Sequence, residues 1–139
     1  MIGGAPRATL VAAAVANVLG WVLPAFSGNR GWAAFVFALS PLWDYGNFKG
    51  QELGLLAFII LSALTNVLFV AVAVVLALGR TRRLKPVLWA AAAATLLNLY
   101  WPILLEAERG RLEAGFFIWV SSFALLALSA FLSLKSASR

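Results

Sequence analysis

Three asparagines each stand in an otherwise apolar stretch: Ala16-Asn17-Val18-Leu19, Thr65-Asn66-Val67-Leu68 and Leu97-Asn98-Leu99-Tyr100. A carboxamide donates and accepts hydrogen bonds but carries no charge, so its chemistry is recognition or cross-bracing and not proton transfer. Hydroxyls accompany them. Thr65 adjoins Asn66 with Ser62 one turn earlier, Thr95 lies three residues before Asn98, and Ser122, Ser129 and Ser133 recur at the spacing of one helical face. Asn17, Asn66, Asn98, Thr65, Thr95 and Ser122 therefore form a candidate polar layer. As interhelical bonds they contribute about 0.6 to 2 kcal/mol each; as a ligand or ion site they would line a pocket. The first reading is the simpler.

Other chemistries lack their residues. The chain has no cysteine and no histidine, which removes disulfides, thiol nucleophiles, imidazole bases and nearly every zinc or copper site. A proton-coupled exchanger places a carboxylate within the membrane, and the apolar stretches hold none. The sequence reads as a non-enzyme without a cofactor or metal, although a bound lipid fits its aromatic faces. The acids fall in connections: ERGRLEAG, residues 108–115, alternates sign, pairs Arg109 with Glu113 and sets Glu113 before a helix start. Asp44, Glu52, Glu106 and Glu108 are too scattered for a calcium site. RTRRLK supplies Arg80, Arg82, Arg83 and Lys85, a basic turn suited to anionic lipid headgroups at about 1 kcal/mol per residue.

These groups need elements to hold them. Of 139 residues 63% are hydrophobic and 12% charged, with mean hydropathy +0.95, too little polar surface for a soluble domain of this length. The reading is an integral membrane protein. A span needs about 20 apolar residues, and four stretches qualify, at about 9–26, 53–78, 86–105 and 115–134. Arg7 ahead of an apolar run and the small-x-small Ala25-Phe26-Ser27 also suit a cleaved signal peptide; a membrane anchor is the reading adopted. Pro86 fits a first helical turn, and Trp21 and Trp101, near Pro24 and Pro102, fit headgroup anchors. In the first span, Ala12, Ala16 and Gly20 offer a small face for close approach. The net charge of +6 brackets apolar segments and forms no stripe, which argues against nucleic acid. Arg7, Arg80, Arg82, Arg83, Lys85, Lys135 and Arg139 share one side with no acid, so the positive-inside rule makes both termini cytoplasmic. The fold class is an all-α four-helix membrane bundle, a single domain over 1–139. Short connections make the last three spans antiparallel neighbours.

The first connection, residues 27–52, is the long one. Its apolar run Gly31 to Trp43 is too short to span, and places Trp32, Phe35, Val36, Leu39, Leu42 and Trp43 on one helical face, with Ala33, Ala34, Phe37, Ala38 and Ser40 on the other. This predicts a short interfacial or re-entrant helix, bent by Pro41 and followed by a polar tip, Asp44, Tyr45 and Lys49. Trp32, Phe35, Val36, Leu39, Trp43, Asp44 and Tyr45 form a surface suited to docking a partner or to sealing the bundle as a lid.

Two segments carry a resemblance: Gly31-Trp32 through Pro41 and Trp43 to Asn47, and the run Gly115-Phe116-Phe117-Ile118-Trp119-Val120-Ser121-Ser122-Phe123. With the span order, they resemble a loose group of small bacterial four-span inner-membrane proteins of unassigned function. The resemblance implies a bacterial inner membrane and carries over no functional residue. The expectation is an accessory or assembly subunit, binding membrane lipids and other membrane subunits. The alternative is a small oligomeric transporter or a lipid- or small-molecule-binding protein with a mid-membrane polar site.

Overall fold

The computed structural model describes residues 4–79, 84–104 and 111–137 of the chain. Four helices are long and apolar enough to cross a membrane: α1 (Gly4–Val22), α3 (Leu53–Ala77), α4 (Leu84–Leu99) continued by the short α5 (Trp101–Leu104), and α6 (Ala114–Ala137). Between α1 and α3 come β1 (Pro24–Phe26), β2 (Asn29–Arg30), α2 (Gly31–Leu39) and two 3₁₀ turns, Ser40–Leu42 and Tyr45–Phe48. The chain is thus a multi-pass membrane bundle, and its exposed faces carry valine and leucine where a soluble helix would carry charge.

Proline decides where several elements end. α1 stops short of the expected boundary because Pro24 has no N–H to bond the carbonyl of Gly20. That carbonyl is covered by Gly31, where a Cβ would sit 2.1 Å from the oxygen. The freed chain makes an antiparallel ribbon, β1 with β2, through a two-residue turn in which Ser27 and Gly28 have φ of 50° and 78°. Both central residues at positive φ mark the tight hairpin turn whose twist matches its strands. Pro41 likewise ends α2: Phe37 O, which Pro41 cannot bond, accepts from Ser40 N–H and from Ser40 Oγ at 2.7 Å. Pro102 interrupts the third span at Tyr100, giving α4 and α5 where the sequence reads as one helix.

α6 lies at the centre, with α1 against one side and α4 against the other, while α3 packs mainly on α4 and α2. The α1 seam is Pro6, Ala13 and Gly20, buried, with Leu10 and Asn17 half-buried between them. Ala12 is exposed and Ala16 half-buried, which corrects the small face expected from sequence by about a quarter turn. A Cβ on Gly20 would lie 2.5 Å from Trp119 Cβ, so the α1–α6 crossing requires glycine there.

Away from the ribbon the interior is largely apolar. Phe69, Val72 and Leu76 of α3, Val87, Ala91 and Ala94 of α4 and Phe123, Leu126 and Ala130 of α6 form one cluster, with Phe69 and Phe123 edge to face at 5.3 Å. Ser129 Oγ donates to Pro6 O at 2.8 Å across α6 and α1.

Candidate functional site

At the ribbon end, a chamber of about 700 Å³ lies between α1, α3 and α6 and is lined also by α2. Its walls are apolar, from Leu55, Leu56 and Ile59 of α3, Phe116 of α6 and the alanines Ala34 and Ala38 of α2. Asn29, Gln51 and Arg111, all exposed, stand on its lining toward the loops. Ser62 and Asn66 form the polar end, roughly 13 and 20 Å along α3 from its start at 1.5 Å per residue.

Three tryptophans hold that polar end in place. Trp21 Nε1 donates to Asn66 Oδ1 at 3.2 Å and Trp119 Nε1 donates to the same oxygen at 2.8 Å. An indole N–H only donates, so the two rings fix which end of the carboxamide is oxygen. Asn66 Nδ2 donates to Ala63 O at 3.0 Å. One turn earlier, Trp101 Nε1 donates to Ser62 Oγ at 2.7 Å, and that hydroxyl donates to Asn98 Oδ1 at 2.7 Å. Asn98 is fully buried, and its Nδ2 donates to Thr65 Oγ1 at 3.0 Å, which donates to Ser62 O at 2.6 Å. α3 is in this way tied to α1 and α6 through Asn66, and to α4 and α5 through Ser62 and Thr65.

The candidate polar layer divides into linked parts. Asn66, Thr65 and Asn98 belong to the network around α3. Asn17 joins it at one remove, since Asn17 Nδ2 donates to Ser122 Oγ at 3.1 Å and Ser122 Oγ donates to Trp119 O at 2.6 Å. Thr95 stands apart, with its hydroxyl donating to Ala91 O of its own helix at 2.8 Å. The tryptophans were the missing members. Trp21 and Trp101, expected at headgroup level, turn inward because an indole N–H in hydrocarbon needs an acceptor and the nearest are Asn66 and Ser62. A signal existed in the spacing: Trp21 follows Asn17 by four, Trp101 follows Asn98 by three, and Trp119 precedes Ser122 by three. Read as continuous helices, each pair falls on one face, although the break at Tyr100 puts Asn98 and Trp101 on α4 and α5.

α2 presents its faces differently from the sequence wheel. Ala33, Ala34, Phe35 and Ala38 line the chamber, and Phe35 packs on Trp21 at 5.1 Å between ring centroids. Trp32, Val36 and Trp43 point outward and are exposed, as is Asp44, while Leu39 is half-buried. The backbone of Tyr45 lies in the second 3₁₀ turn; its side chain lies outside what the structure describes. Arg80, Arg82 and Arg83 lie outside the described residues, as do Glu106, Glu108 and Arg109; Lys85 is exposed in the first turn of α4. Glu113 accepts from Gly28 N–H, and Ser27 N–H donates to Arg111 O at 2.8 Å, so the ribbon is fastened to the segment leading into α6. A Cβ on Gly115 would lie 2.5 Å from Pro24 O. The Gly115 to Phe123 run thus serves in turn as ribbon contact, chamber wall, asparagine partner and apolar core.

Among the described residues no three His, Cys, Asp or Glu side chains gather where they could hold a metal ion. The arrangement offers apolar walls, fixed dipoles and a carboxamide. Comparison with protein-family models, with curated proteins and with solved structures gave no match to this chain.

Proposed function

We propose that this chain is a non-enzymatic membrane protein that holds one apolar small molecule or lipid chain in the chamber beneath α2, with α2 as its lid. The observation that carries the reading is the chamber itself: about 700 Å³, apolar in its walls, with a few oriented polar groups at one end. Small-molecule sites share that size and that division of labour. The other half of the bundle is instead a cluster of buried apolar side chains.

The same reading places the chain in a bacterial inner membrane with both termini cytoplasmic. Supporting it, Arg7, Lys85 and Lys135 lie at the end of the bundle away from the ribbon, together with Arg80, Arg82, Arg83 and Arg139 by sequence. α2 then lies on the outer side at the membrane interface. Trp32 and Trp43 at that end and Trp89 near the other, 74% exposed, suit the two headgroup levels.

The test is extraction into nanodiscs followed by mass spectrometry of what travels with the protein. A stoichiometric small molecule or lipid is the expected result; an empty chain overturns the reading. A second reading, an accessory subunit of a larger membrane complex, draws on the exposed side chains of Trp32, Leu42 and Trp43. Stoichiometric recovery of a large complex in the same experiment would favour it.

A further inference from the structure

The chamber's polar end has a definite hydrogen-bonding remainder. Asn66 Oδ1 takes two indole N–H groups, one for each lone pair. Its Nδ2 carries two hydrogens, and one goes to Ala63 O. Ser62 gives its only hydrogen to Asn98 and receives that of Trp101. The Thr65 hydroxyl hydrogen goes to Ser62 O, and all three indole hydrogens are engaged. Among the described side chains that line the chamber at this end, the donor that remains is the second amide hydrogen of Asn66, on a side chain that is more than nine-tenths buried; Asn98 also keeps one amide hydrogen, but Asn98 is not on the lining.

A single neutral donor at the end of an apolar chamber selects among ligands by the cost of what each must bury. A carboxylate or phosphate there would lose its hydration against one amide hydrogen, which compensates little of that loss. A hydroxyl could accept from Asn66 only while giving its own hydrogen to the last lone pair of Ser62, one helical turn away, so it must meet two groups at once where a carbonyl need meet one. A pure hydrocarbon would leave the amide hydrogen unmet. A carbonyl oxygen matches the remainder: it brings acceptors and no donor, and it carries no charge.

Resting on the reading that the chamber is a binding site, we infer that its ligand is a neutral apolar molecule whose buried end is a carbonyl group, its oxygen accepting from the second amide hydrogen of Asn66. An acyl ester of a lipid and a ring ketone of a quinone share this chemistry. The two indoles polarise the carboxamide by donating to its oxygen, which strengthens the donor on its nitrogen.

The experiment uses nanodiscs of the full chain carrying Trp32→Phe, Trp43→Phe and Trp89→Phe, so that indole fluorescence reports Trp21, Trp101 and Trp119 of the chamber. Three probes are titrated: a bromo-fatty-acid methyl ester, the bromoalkane of equal length, and a decyl-chain benzoquinone. The expected result is quenching by the ester or the quinone at a concentration about two- to tenfold lower than by the bromoalkane, the worth of one neutral hydrogen bond. The preferred carbonyl probe identifies which source the chamber takes. Isotope-edited infrared spectra of that probe with the wild-type chain should show its carbonyl stretch lowered relative to empty nanodiscs. In Asn66→Leu the preference and the lowering disappear. Equal binding of the bromoalkane, or an unshifted carbonyl in the wild-type spectrum, overturns the inference while leaving the chamber a binding site. Absence of quenching by all three probes overturns the binding reading as well, and the wild-type spectrum decides the matter even if Asn66→Leu does not fold.

Discussion

The two halves of this bundle are built from the same four long helices, yet one gathers a cluster of buried apolar side chains and the other encloses a chamber. Away from the ribbon, α3 presents Phe69, Val72 and Leu76 to Phe123 and Leu126 of α6 within one buried cluster. At the ribbon end α3 presents Ser62 and Asn66, α2 presents alanines, and three indoles reach inward to the polar groups. Apolar packing predominates in the first half, with Ser129 to Pro6 as an interhelical hydrogen bond there, while a network of hydrogen bonds spans the second. In lipid this division has a reason: burial of apolar surface contributes little between helices already bathed in hydrocarbon, so close contact or polar bonding must supply the association.

The comparison can be broken from either side. Phe123→Ala, at a fully buried position in the clustered half, should cost about 3 kcal/mol of stability through the cavity it leaves, read as a lower midpoint in detergent unfolding with chamber binding retained. Asn66→Leu should cost about 1 to 3 kcal/mol, because two indole N–H groups lose their acceptor. A shift of indole emission should accompany it, and its absence would mean that Trp21 and Trp119 find other acceptors. Ala38→Phe sharpens the contrast by filling the chamber half from its lid: ligand affinity should fall at least about tenfold, close to 1.4 kcal/mol, with the unfolding midpoint little changed. Trp43→Ala, 63% exposed outside both halves, should move stability by less than about 0.5 kcal/mol. A larger loss would point to a partner or lid contact made by that indole.

Much of the long-range plan was legible in the residues. Four apolar stretches of spanning length became α1, α3, α4 with α5, and α6, and Pro24, Pro41 and Pro102 each mark an end or a break. The asparagines, singled out as lone polar groups in hydrocarbon, all bond across helices. Facing was far less legible. Ala12 read as part of a contact seam and is exposed, Trp21 and Trp101 read as anchors at the surface and are turned inward, and Thr95 read as a member of the layer and bonds its own helix. The ribbon at Pro24 to Arg30 gave little local signal beyond Ser27-Gly28, since its partner segment, residues 111–113, is distant in the chain.

What the sequence determined by itself is the number and length of the spans, the places where proline ends them, and the scarcity of charged or redox-active groups. These follow from local rules: hydropathy over a fixed length, a missing N–H, the presence or absence of a residue type. Only the tertiary structure decided which faces meet, and with them the chamber, its indole-braced polar end and the seating of α2. A helix that is apolar on every side carries no outward mark of which side faces a neighbour. That choice is settled by shape at Gly20 and Gly31, and by which donor finds which acceptor around Asn66 and Asn98.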